Sequence, residues 1–325
     1  MVAMAGPVVE MIDWQSLTHA FGERLQRKSS LGRFTAARVG GPADALLQVR
    51  SAGELADAAQ ALWNLQIPFV ILGGGSNVLV SDAGVRGVVI LNHARHIRFD
   101  VSGESPSVWA ESGANFGVLA RRAAQRGLAG LEWAVGIPGT IGGAVVGNAG
   151  AHGSDMASSL VVAEILHHNG MIENWPVEKF GYTYRGSNLK SPIYNDRLGL
   201  GRTHYPAALV LSATLRLERN SREMIQEKLD LYLTHRRRTQ PPGASMGSMF
   251  KNPPGDYAGR LIEATGLKGM RIGDAEISSL HANFFINTGH ATATDIWKLI
   301  DLARRRVEEM TGIKLDLEIE LMGEW

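Results

Sequence analysis

A chain of 325 residues, 45% apolar and 20% charged, is long enough to bury the cores of two or three domains. Its net charge of +1 offers no global field for nucleic acid or an anionic membrane, and the absence of cysteine excludes disulfides, thiolate zinc sites and cysteine nucleophiles. No apolar run approaches the ~18 residues of a membrane span, and residues 1–11 lack the basic flank of a signal peptide. A cytoplasmic protein without membrane insertion, nucleic-acid partner or obligate protein partner is therefore expected.

In chain order, Ser51 and Glu54 predict a capping box, followed by Leu55, Ala58, Ala59 and Leu62 at helical spacing. Pro68 leads into a buried strand at 69–72. The glycine turn 73–77 (Gly-Gly-Gly-Ser-Asn) comes next, and apolar runs at 78–80 and 85–91 read as strands. The turn thus joins strand to strand and does not open a helix. A second helix is predicted over 116–125, with Gly127 just past its end. A longer glycine-rich tract runs from Gly136 to Gly153, and strands are expected at 161–167 and 207–217. Near 218–220 the composition shifts. Asn220 and Glu223 predict the start of a helix with Ile225, Leu229 and Leu233 on its apolar face, ending in the basic run 236–238. Thr292 and Asp295 cap the last predicted helix, which buries Ile296, Leu299, Ile300, Ala303 and Val307 and stops at Gly312. Residues 315–321 read as a closing strand. Residues 220–325 are expected to form a separate α+β domain.

Several segments carry chemistry. Successive glycines at Gly73, Gly74 and Gly75 let backbone amides converge on an anion; a tight turn is the plainer reading. A Rossmann loop is excluded because Val78 stands where the third glycine belongs and no helix follows. A phosphate loop of the Walker type lacks its Gly-Lys-Ser/Thr. A second cluster, 136–143, could grip the same pyrophosphate from another side or be an unrelated loop. Arg185 is either a solvated arginine or a bidentate carboxylate ligand. Ser248 follows Gly247, but Phe250 breaks the Gly-x-Ser-x-Gly pattern of a hydrolase nucleophile. Glu318 and Glu320 fall on one face of the closing strand. The ten histidines show no metal-binding spacing, so no metal is expected, and His167, His168 and His281 read as surface or structural residues. The run 236–238 reads as a solvated helix end or a cation facing a diphosphate.

Taken in order, these residues resemble the UDP-N-acetylenolpyruvoylglucosamine reductase family, in its shorter subclass. The resemblance runs through residues 34–43, 72–80, 130–132, 136–153, 184–187, 240–241, 247–253, 269–273 and 315–323. It implies an α+β chain: an FAD-binding fold of the vanillyl-alcohol-oxidase type in two subdomains, residues 31–92 and 93–219, after an N-terminal segment 1–30 and before a substrate-binding domain 220–325. It implies tight, non-covalent FAD, with NADPH as reductant and a UDP-sugar enolpyruvate as substrate. Cofactor contacts are expected from Arg38, Gly73, Gly74, Gly75, Ser76, Asn77, Gly136, Pro138, Gly139, Thr140, Gly142, Gly143 and Gly150. Substrate contacts are expected from Tyr184, Lys251 and Asn252, and catalysis from Arg185, Ser248 and Glu318. The resemblance places the catalytic carboxylate on Glu318 rather than Glu320, because the family's glutamate precedes an apolar residue and lies five before a glycine, here Ile319 and Gly323. Residues 191–206 depart from the family pattern and read as an insertion beside the substrate channel. The competing readings are a flavin oxidase of the same fold and a non-catalytic FAD or nucleotide module.

Overall fold

The structure, a computed structural model, describes residues 12–190 and 206–325; all but the last residue of the expected insertion lies outside them. The first sheet orders its strands Leu25–Ser30, Pro42–Val49, Val85–Asn92 and Phe69–Leu72. The last three run parallel, which requires crossover connections. Helix Ala52–Asn64 supplies one of them and buries Leu55, Ala58, Ala59 and Leu62 over Phe69, Val88 and Ile90. Ser51 caps that helix through the amide of Glu54. The Glu54 carboxylate reaches the amide of Arg50, so the expected box closes one residue early.

The second sheet is antiparallel throughout, in the order Ile172–Pro176, Leu160–His167, Ala208–Arg216, Ser107–Glu111, Ile97–Asp100. Helix Phe116–Ala124 packs beneath it, its apolar face sharing a core with Val108, Ile165 and Leu215. The third sheet orders Ala244–Ser248, Phe284–Asn287, Ala275–Ile277 and Arg271–Ile272. Helix Ala293–Thr311 covers it, with the expected capping box at Thr292 and left-handed Gly312 at its end.

Two expectations change. Ser221, not Asn220, caps helix Arg222–Thr239, because its hydroxyl accepts from the amide of Met224 while Asn220 accepts from its neighbour. That helix buries Ile225 and Leu229 against Ala124, Ala129 and Val135, inside the second unit. We therefore propose that the third unit begins after residue 239 rather than at 220. The closing strand is also shorter than the alternation suggests. Only Glu320–Met322 is strand, parallel to Val78–Val80 of the first unit. The stretch before it pairs instead with the serine segment, through a bridge between Phe250 and Leu317. One apolar alternation serves two successive partners, and the switch brings all three units to one place.

Candidate active site

The three units enclose a groove of about 1470 Å³. Both glycine clusters line it, at residues 73–77, 136, 138–140, 142, 143 and 150, and so do Arg185, Ser248 and Glu318. The clusters touch one another. A Cβ on Gly73 would stand 2.6 Å from Thr140 Oγ1, one on Gly74 3.1 Å from Gly139 Cα, and one on Gly139 2.8 Å from Ser76 Oγ. At Gly75 the φ of +58° and a carbonyl of Phe34 only 2.1 Å from any added Cβ leave room for hydrogen alone. Among the described residues the amides of Gly74, Gly75, Ser76, Asn77, Gly139 and Thr140 donate to no protein acceptor. Unspent amides converging from two touching loops are the chemistry of a diphosphate cradle, so the residues present fit the pyrophosphate of FAD.

The reactive groups arrive from separate elements. Ser248 ends strand Ala244–Ser248, whose pairing with Phe284–Asn287 is broken by a register shift between Ser245 and Ser248. Gly247, at φ +78°, sits in that irregularity. Such a bulge re-aims the next side chain, and here the Ser248 hydroxyl lines the groove with no hydrogen-bond partner among the described residues. Just beyond it, Asn283 accepts from the amide of Phe250 and donates to its carbonyl. The Met249 carbonyl accepts from the Glu318 amide at 2.9 Å, so main-chain pairing fixes Glu318 beside the serine turn. Asn77 of the cradle donates to the Glu318 carbonyl at 3.1 Å, tying the cofactor loop to the same residue.

Arg185 stands in left-handed backbone, φ +56°. Its Nε donates to Glu318 Oε1 at 2.7 Å and its Nη1 to the Gly150 carbonyl at 3.0 Å. The Glu318 side chain is 15% exposed. Burial raises its pKa above the ordinary carboxylate range, and the opposing pull of Arg185, Lys190 and Lys251 does not cancel it. A carboxyl held between burial and three cations can carry a proton at a pH where an exposed one cannot.

The remaining expected contacts lie off the groove wall. Arg38 is exposed; its motif reaches the groove through Ala36, whose amide donates to the Gly75 carbonyl. Tyr184 is exposed beneath the Arg185 guanidinium, 5.5 Å from it. The Asn252 side chain accepts from the amide of Ala258 at the start of helix Ala258–Ala264. Lys251 acts on Glu318 through its charge. Conversely, Lys190 and Ser112 line the groove without being expected there, and so do Arg236, read as a helix end or a diphosphate cation, and Glu320, passed over for Glu318. Arg236 had a signal in the basic run. It lies against Gly136, whose added Cβ would meet its Nε at 3.1 Å, and burial lowers its pKa. Ser112 had none: the amide of Gly142 bonds its carbonyl, a contact made only by the fold. No group of His, Cys, Asp or Glu able to hold a metal occurs among the described residues, and no helix there is long and apolar enough to cross a membrane.

The cradle and its surroundings define an FAD-dependent flavoprotein. Consistent with that class, residues 43–175 match the FAD binding domain model, and residues 238–322 match the model of the UDP-N-acetylenolpyruvoylglucosamine reductase C-terminal domain. A UDP-N-acetylenolpyruvoylglucosamine reductase of Chloroflexus aggregans is 43% identical over 92% of this chain and 97% of its own length. One of Moorella thermoacetica is 40% identical over 100% and 99%. The crystal structure of the Thermus caldophilus reductase superposes with a TM-score of 0.75 at 36% identity, covering 92% of this chain and 99% of that one. The chain belongs to the UDP-N-acetylenolpyruvoylglucosamine reductase family.

Proposed function

We propose that Arg185, Ser248 and Glu318 carry the reduction of UDP-N-acetylglucosamine enolpyruvate to UDP-N-acetylmuramate, with NADPH as electron source, in peptidoglycan precursor synthesis. The observation behind this reading is their convergence. A guanidinium, an unpartnered hydroxyl and a buried carboxyl, from three distant stretches of sequence, line one groove with the diphosphate cradle. FAD held in this cradle would supply the hydride chemistry, with NADPH as its electron source and the enolpyruvyl ether as acceptor.

The protein's part is to bind, orient and protonate. The guanidinium of Arg185, anchored by Glu318 and the Gly150 carbonyl, keeps an NH2 group free for the substrate carboxylate. Glu318 in its protonated form donates a hydrogen bond to that carboxylate, stabilising the charge that develops when hydride arrives. Ser248 then gives its hydroxyl proton to the α-carbon: an O–H bond breaks, a C–H bond forms, and the oxygen recovers a proton from solvent. A hydroxyl is a weak acid, but an enolate is basic enough to accept from it.

The test is anaerobic. Enzyme reduced by NADPH and freed of excess reductant should be reoxidised by the enolpyruvyl ether without oxygen. Reoxidation by oxygen alone would move the assignment to a flavin oxidase, and failure to reduce at all would leave a binding module.

A further inference from the structure

Five residues beyond Arg185 and two beyond Glu318, the same two segments make a second ionic contact. Lys190 Nζ lies 2.5 Å from Glu320 Oε1, just as Arg185 meets Glu318. Both Lys190 and Glu320 line the groove. The Lys190 side chain is 23% exposed and that of Glu320 is 52% exposed, so the pair spans the boundary between groove and solvent. Strand pairing of Glu320 with Val78 and the bond from its amide to the Asn77 carbonyl fix the acidic member to the cradle loop.

We propose that Lys190 and Glu320 are positioning residues for the reduction, a second ionic rung that holds segment 185–190 on the C-terminal strand and sets the charge felt at Glu318. The proposal rests on the reading of Glu318 as the group that hydrogen-bonds the substrate carboxylate. The charged side chains acting on Glu318 are Arg185 and Lys190 from one segment and Lys251 from the serine turn. Of these, Lys190 is the one whose charge is offset by a partner other than Glu318. Arg185 is committed to Glu318 itself, and among the described residues Lys251 has no ion-pair partner. With the rung intact, Glu320 offsets part of the ammonium's charge. Removing one member unmasks the other, and the two removals act on Glu318 with opposite sign.

The experiment measures the rate of flavin reoxidation by substrate against pH, using FAD-loaded enzyme. Protonated Glu318 is the active form, so the rate falls as pH rises through its pKa. Lys190→Met leaves Glu320 unbalanced and should move that limb up by roughly half a unit to one unit. Glu320→Gln leaves Lys190 unbalanced and should move it down by a similar amount. The double variant should return close to wild type. A merely structural rung would lower the rate in both single variants without displacing the limb. Should Lys190→Met not fold, Lys190→Gln reads the same displacement. Opposite displacements support the proposal. Unmoved limbs, or limbs displaced in the same direction, overturn it. Glu318→Gln is run alongside: if it leaves the limb in place, the Glu318 reading has failed and the rung's role falls with it.

Discussion

Arg185→Lys isolates the carboxylate clamp. In the wild type the guanidinium spends Nε on Glu318 at 2.7 Å and Nη1 on the Gly150 carbonyl at 3.0 Å, so a planar fork is held by two anchors. Lysine retains the charge but brings a single ammonium on a flexible stem, which cannot satisfy both anchors and the substrate together. One charge-assisted hydrogen bond of about 1.5–3 kcal/mol is lost where the substrate carboxylate binds, which corresponds to roughly 10- to 150-fold in rate. Stopped-flow measurement of the two half-reactions reads the effect. Reduction by NADPH should stay near wild type, and reoxidation by substrate should slow by that factor. Wild-type reoxidation in Arg185→Lys would refute the clamp. Equal slowing of both halves would show that the variant disturbs the groove as a whole.

Three further outcomes follow from the same geometry. Glu318→Gln should slow reoxidation while changing stability with a definite sign. The folded-state pKa of Glu318 is raised, so its contribution is fully present at pH below about 4.5, the ordinary glutamate value, and is lost as pH rises through the folded value. Thermal melts should therefore show the wild type losing stability relative to Glu318→Gln as pH rises; a constant difference would contradict the burial argument. Gly75→Ala forces a Cβ to within 2.1 Å of the Phe34 carbonyl at φ +58° and should abolish FAD retention, whereas Gly53→Ala, in the exposed first turn of a helix where the added Cβ meets only Ser51 Oγ at 3.9 Å, should stabilise by about 0.5–1 kcal/mol. If Gly75→Ala held FAD normally, the cradle geometry would be wrong. Asn283→Ala removes both bonds to the backbone of Phe250 and should cost about 2–3 kcal/mol in chemical denaturation; a loss under 1 kcal/mol would mean the serine turn is held by other contacts.

What the sequence disclosed and what it hid divide along a physical line. Local signals read true: the capping box at Thr292 and the five apolar residues that follow it are set by helix periodicity alone. The two glycine clusters are legible as candidates because successive glycines let backbone amides converge and the main chain approach closely, but their mutual contact at Gly74 and Gly139 is a product of folding. The closing strand was overread because alternation reports burial, not partner identity, and residues 316–318 and 320–322 face different partners. Asn252 reads as a substrate contact because it lies in the serine motif; the bond its side-chain oxygen accepts from the Ala258 amide is made only by the fold. Lys190 carries no sequence signal, and Glu320 shares its strand face with Glu318 and reads there as the lesser alternative; only the ion pair between them gives either a place of its own.

Ser248 is the group on which proton delivery depends most directly. Its hydroxyl has no partner among the described residues and lines the groove, so removing it should leave binding and folding intact and delete one proton. Single-turnover mixing of NADPH-reduced Ser248→Ala with substrate, without oxygen, should show reoxidation slowed roughly 10²–10⁴-fold after flavin reduction at the wild-type rate. Reoxidation of Ser248→Ala at the wild-type rate would show that the proton comes from elsewhere and contradict the assignment.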